Sequence, residues 1–205
     1  MVAEACAAGA DHWLLGGDYS AFGPWPRETL ELLRELENAE WLRGNGERWL
    51  VDEPNRSGVH EPLEAARREL SAADVQWLAA LPTHVILGSV LFVHASPLSD
   101  VESFAAEPRE GEERLLDGVH GRAVVFGHSH LQFRRSGPNG TDLINPGSVG
   151  VPLDGDVRAA WALRSGNDVW EFRRTEYDVE RAAAKARELG SWGELIARRL
   201  ERGSD

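Results

Sequence analysis

The sequence predicts an α/β domain whose strands deliver polar side chains to one shared edge, and three observations carry that prediction. Short apolar runs alternate with segments of helical periodicity. Four of the runs, at 12–15, 40–43, 90–93 and 123–126, stop and then present Asp18, Asn45, His94 and the pair His128 and His130. Beyond residue 157, two segments alternate apolar with polar residues, as an antiparallel pair with one wet face does.

The elements follow in order. Residues 1–10 are rich in Ala and close with Gly9, which reads as the last turns of a helix. His12-Trp13-Leu14-Leu15 reads as a short strand ending at Gly16-Gly17-Asp18. Pro26 suits the first turn of a helix with Leu30, Leu33 and Leu36 on one face. Residues 40–43 form a second strand ending at Gly44-Asn45, and 47–81 read as a mainly helical insert. Within it Ser71 and Asp74 give an N-terminal capping signature ahead of Val75, Leu78 and Leu81.

Residues 85–87 and 90–93 read as strands joined at Gly88-Ser89, the second leading to His94-Ala95-Ser96-Pro97. The charged stretch 99–121 reads as a loop with a short helix. After Phe126-Gly127-His128-Ser129-His130, residues 131–134 and 142–145 flank a turn-rich connection, and Asn145-Pro146-Gly147-Ser148 turns sharply. Residues 157–163 and 169–173 pair around Gly166-Asn167. Two helices close the chain over about 178–205: a stripe of Val179, Ala182, Ala183, Ala186 and Leu189 ending at Gly190, then one capped by Ser191 and Glu194.

Length and composition bound the rest. With 205 residues, a single domain over 1–205 can bury its core unaided. A composition of 42% hydrophobic and 27% charged residues is that of a soluble globular protein, and no apolar run is long enough to cross a bilayer. A net charge of −12 would repel nucleic-acid phosphates and anionic membranes, which argues against a duplex or a membrane as partner. Cys6 is the sole cysteine and no signal-peptide pattern opens the chain, so a reducing, cytoplasmic setting is expected. A homo-oligomer remains open.

Taken singly, Asp18 and Asn45 read as turn residues, Glu47 as a carboxylate at a helix N-terminus, and His94 as a core histidine. His12, His60, His84 and His120 read as surface or capping residues, and Trp77, Trp161 and Trp170 as core. Taken together, the strand ends would converge as they do in open α/β sheets. A carboxylate oxygen, an amide oxygen and three imidazoles, without a thiolate, suit Mn, Fe, Co, Ni or Zn as divalent ions.

The ordered series Gly17-Asp18, Gly44-Asn45-Gly46-Glu47, Val93-His94-Ala95-Ser96-Pro97, Gly127-His128-Ser129-His130 and Asn145-Pro146-Gly147-Ser148 resembles the calcineurin-like metallophosphoesterases, in particular small phosphodiesterase-type members. The likeness extends down to Val151. It implies a two-sheet sandwich flanked by helices, with two divalent metal ions at the strand ends. By that likeness Asp18 bridges the ions, Asn45, His94 and His128 complete one site, and His130 serves the other. The implied activity is phosphodiester or phosphomonoester hydrolysis of a small substrate by a metal-bound hydroxide. Outside that likeness, Arg43 and Arg56 are candidates for pairing with a substrate phosphate, with a solvated arginine as the alternative at each.

Two departures qualify the likeness. Family members begin with a strand ending in Asp-x-His, which this sequence lacks before Asp18, so the domain is expected to be N-terminally shortened and one ion becomes an alternative to two. A version extended by about 20–30 residues, a strand and most of a helix, is expected to be more stable. Gly46 stands where the family often has a histidine that assists the leaving group. The rival reading is a non-catalytic scaffold or ligand-binding protein with a degenerate metal site, as in the retromer subunit that resembles this family.

Overall fold

The computed structural model describes residues 1–166 and 169–204, so Asn167 of the expected Gly166-Asn167 turn lies outside the described residues. Five strands build the larger sheet: β3 (His84–Leu87), β4 (Val90–Val93), β5 (Ala123–Val125), β6 (Gln132–Ser136) and β7 (Asp142–Pro146), in the order β3-β4-β5-β7-β6. The three inner strands are parallel, and β3 and β6 pair antiparallel at the edges.

Every residue of β4 is buried, because both faces of the sheet are covered. Alternate residues of these strands go to opposite sides. Leu91, Val93, Val124 and Leu143 pack with Phe104, Leu115 and Leu116. Val90, Phe92, Val125 and Ile144 pack with Leu42, Leu14 and Trp170. The charged stretch after residue 98, weakly periodic in sequence, therefore covers one face with its few apolar side chains and a 3₁₀ turn at Glu112–Leu116.

The second layer consists of two separate ladders. β1 (Trp13–Leu15) and β2 (Ala39–Trp41) are parallel, and β8 (Ala159–Ser165) and β9 (Val169–Thr175) are antiparallel. Leu14 of β1 and Trp170 of β9 reach the same face of the larger sheet. The expected two-sheet sandwich is thus present with its second layer split, and among the described residues no strand joins the halves.

The helices are α1 (Val2–Ala7), α2 (Pro26–Arg34), α3 (Asn45–Trp49), α4 (His60–Glu69), α5 (Ala72–Ala79), α6 (Val179–Arg187) and α7 (Ser191–Arg202). Among the described residues none is long and apolar enough to cross a membrane. Helix α2 stops at Arg34, so Leu36 lies past its end rather than on its apolar face. The insert is mainly helical as expected, in three helices, and Arg67 of α4 donates to the Trp49 and Leu50 carbonyls at the end of α3.

Ser71 and Asp74 cap α5 as expected, the Ser71 oxygen accepting from the Asp74 N–H at 3.1 Å. The expected cap on α7 is absent: its N-cap is Gly190, Glu194 pairs with Arg187 and Arg198, and the Ser191 hydroxyl donates to Glu61. Trp77 is not core either. It is 37% exposed and lies edge-on to Trp41 beneath the Arg34 guanidinium.

Gln132 ties the layers together. Its amide donates to the Pro146, Trp161 and Arg173 carbonyls, and its own carbonyl accepts from Arg174. Arg174 also pairs with Asp154, which accepts the Gln132 N–H at 3.0 Å. Burial opposes the charge on Asp154, but the hydrogen bonds from Arg174 and Gln132 outweigh it and hold the carboxyl below its usual range. A carboxyl depressed by folding stabilises fully above its unfolded pKa, and that contribution is lost as pH falls through its folded value. Arg174→Met is therefore expected to lower the melting temperature at pH 7, with a gap from wild type that narrows toward pH 3. Thermal melts at the two pH values check this.

Candidate metal centre

The strand ends place the site. After β1 the chain passes Gly16 and Gly17 into Asp18, and after β2 it passes Gly44 into Asn45, the first residue of α3. After β4 comes His94, and after β5 come Gly127 and His128. The approach is too close for side chains at two of these glycines. A Cβ on Gly17, whose φ is +97°, would lie 2.7 Å from both the Gly44 nitrogen and His94 Nδ1. One on Gly44 would lie 2.3 Å from Asp18 Oδ1. Asp18, His128 and His130 themselves adopt left-handed φ of 62°, 61° and 60°, strain of the kind that concentrates at functional sites.

Asp18, His94 and His128 each offer a ligand atom within 4.8 Å of the others. Asp18 Oδ2 stands 3.3 Å from His94 Nε2, and Oδ1 is held by the Gly46 N–H at 2.7 Å. His94 is buried, and its Nδ1 donates to the Gly16 carbonyl at 2.7 Å, which turns Nε2 toward the cluster. The buried Asn45 amide oxygen lies 3.1 Å from His94 Nε2. The reversed amide would donate to His94 Nε2, to His128 Nδ1 at 2.9 Å and to the Asp100 carbonyl at 3.2 Å.

A carboxylate, an amide oxygen and two imidazole nitrogens thus face one small volume, a donor set that suits a borderline divalent cation. The residues fit a metal ion. Burial works against the charges here, but proximity outweighs it: His94 holds the Asp18 carboxyl well below its ordinary value, and Asp18 pushes the His94 imidazole up to about 9. Burial, with the neighbouring His94, lowers the pKa of His128.

Residues 2–142 match the family model described as calcineurin-like phosphoesterase, well over half of the chain. The chain belongs to the calcineurin-like phosphoesterases. Membership points to metal-dependent phosphoester hydrolysis. The uncharacterized protein MJ0912 of Methanocaldococcus jannaschii is 30% identical over 198 residues, covering 82% of this chain and 77% of that relative. The crystal structure of a metallophosphoesterase from Sphaerobacter thermophilus superposes with a TM-score of 0.78 at 26% identity, over 98% of this chain and 93% of the other. The hypothetical protein PH1004 of Pyrococcus horikoshii OT3 shares the fold, with a TM-score of 0.82 at 18% identity over 100% of this chain and 90% of that one.

In this phosphoesterase the five sequence-derived candidates are not equally close. His130 stands outside the tight set of Asp18, His94 and His128, and its Nδ1 donates to the Val151 carbonyl at 2.7 Å. Arg43 donates to the Ala79 carbonyl at the end of α5, and its Nε is buried without a hydrogen-bond partner. A side chain at Gly46 would crowd Asp18 Oδ1 at 2.9 Å and Ala21 at 3.2 Å.

Sequence reasoning missed Asp100 and Arg48. Asp100 brings its carbonyl toward the Asn45 amide, and Arg48 of α3 holds its carboxylate through two hydrogen bonds at 2.6 and 2.9 Å. The signal was slight, a lone acid in a charged loop. Glu47 is the expected carboxylate in the first turn of a helix, and it is fully buried.

Proposed function

We propose that this phosphoesterase hydrolyses small phosphodiesters or phosphomonoesters at the cluster of Asp18, Asn45, His94 and His128, with His130 beside it. The convergence of Asp18, His94 and His128 within 4.8 Å carries the reading. Mn, Fe, Co, Ni or Zn would be held by Asp18 Oδ2, the Asn45 oxygen and the imidazole nitrogens of His94 and His128. Such ions neutralise phosphoryl charge and acidify water toward neutrality. The chain's own residues fix where this happens: the Gly16 and Val151 carbonyls orient His94 and His130, and the Gly46 N–H holds back one oxygen of Asp18.

Two ions are the expected content, with His130 and Asp18 serving the second, and one ion per chain is the alternative. Gly46 supplies no acid for the leaving group, and water takes that part. Arg43, whose guanidinium donates to the Ala79 carbonyl, is the candidate for a substrate phosphate. The substrate is a small phosphoester rather than a nucleic-acid duplex, and Cys6, exposed and free, accords with a cytoplasmic setting.

The test is hydrolysis of bis-p-nitrophenyl phosphate and p-nitrophenyl phosphate with Mn²⁺ and with EDTA, alongside elemental analysis. Turnover that needs Mn²⁺ is expected. A bound ion with no turnover above the EDTA control would favour the ligand-binding reading, for which the position of His130 outside the tight set speaks.

A further inference from the structure

We infer that Glu47 is a positioning residue that sets the backbone of Asp18 and thereby aims its carboxylate into the cluster. This rests on the metal-site reading above and adds a role for a side chain outside the ligand set. Glu47 is 0% exposed, and each of its oxygens is committed to backbone amides. Oε2 accepts from the Asp18 N–H at 2.7 Å and the Gly44 N–H at 2.8 Å, and Oε1 accepts from the Tyr19 N–H at 2.8 Å.

The geometry is specific. The Asp18 and Tyr19 amides belong to the two peptide planes on either side of the Asp18 Cα, so one carboxylate fixes both planes and with them the direction of the Asp18 side chain. Asp18 has φ of 62°, a conformation a non-glycine residue keeps only when its surroundings impose it. The third amide, from Gly44, ties the same carboxylate to the residue before Asn45, so the loops carrying two of the cluster's side chains share one anchor. Tyr19 supports the arrangement from outside, its hydroxyl accepting from the Gly17 and Leu42 N–H groups. A glutamine at 47 would place an NH₂ group against at least one backbone N–H, because all three contacts are donors facing an acceptor. Groups that orient metal ligands from behind typically account for roughly 10–100-fold in metal affinity.

The experiment compares wild type, Glu47→Gln, Glu47→Asp and Glu112→Gln by Mn²⁺ titration with electron paramagnetic resonance detection. Amide exchange of Asp18 and Tyr19 is followed in the metal-free proteins. Glu112 is a control: it is nearly buried and pairs with Arg135 away from the cluster, so its variant reports general destabilisation. Mn²⁺ affinity is expected to fall roughly 10–100-fold in Glu47→Gln, and the two amides to exchange faster. Glu112→Gln should stay within about twofold of wild type, below that range.

If Glu47→Gln does not fold, Glu47→Asp decides, since its shorter arm cannot reach all three amides and should also weaken Mn²⁺ binding. Wild-type affinity in the folded Glu47 variants, or an equal loss in Glu112→Gln, would overturn the inference alone. Absence of Mn²⁺ binding by the wild-type protein would overturn the metal-site reading and this inference with it.

Discussion

Asp18→Ala should lower Mn²⁺ affinity by more than about 100-fold and abolish Mn²⁺-dependent phosphoester hydrolysis, because even groups that only orient ligands reach that figure. Among the described residues Asp18 is the cluster's only carboxylate ligand, and its Oδ2 lies 3.3 Å from His94 Nε2. Without it, His94, His128 and the Asn45 amide remain as neutral or cationic ligands, with no carboxylate among them to offset a dication's charge. The loss would also show without any substrate. A ligand at 100 times its dissociation constant stabilises the folded state by about 2.7 kcal/mol, so wild type should melt higher with Mn²⁺ than with EDTA. Asp18→Ala should show no such difference. An unchanged Mn²⁺-dependent shift in the variant would refute the assignment of Asp18.

Gly17→Ala should cost about 3–5 kcal/mol of folding stability, combining a left-handed backbone penalty with overpacking. The added methyl would meet the Gly44 nitrogen and Cα at 2.7 and 2.8 Å and His94 Nδ1 at 2.7 Å. Two of those contacts are backbone, so rotating a side chain cannot relieve them. The third would push His94 off the Gly16 carbonyl that orients it. Gly16→Ala, one residue earlier, meets nothing within 4 Å and should be nearly neutral. Urea denaturation of the pair checks both statements; equal midpoints would show that the β1 and β2 ends do not approach as described.

Most of the fold was legible because its signals are local. β4 and β5 are short apolar runs, Ser71 and Asp74 form a reciprocal cap, and Gly88 with φ of +63° turns β3 into β4. What was not legible depends on distant partners. Glu194 sits where a capping acid would, but Arg187 and Arg198 compete for it. Glu47 reads as a helix N-terminal carboxylate, and its hydrogen bonds from the Asp18 and Tyr19 amides, nearly thirty positions upstream, are not visible in the sequence. The candidate site was readable as an ordered series of polar residues after strands. The separation of His130 from the tight set was not, since it depends on a left-handed turn and a bond to the Val151 carbonyl.

The split of the second layer has a mechanical consequence for the cluster. Asp18 and Asn45 ride on the β1–β2 ladder, whereas His94 and His128 ride on the five-stranded sheet. Leu14 of β1 and Leu42 after β2 already pack with Phe92 and Val125 of that sheet, so a cation gripped from both sides would act as a rivet at the rim of two plates that the core already joins.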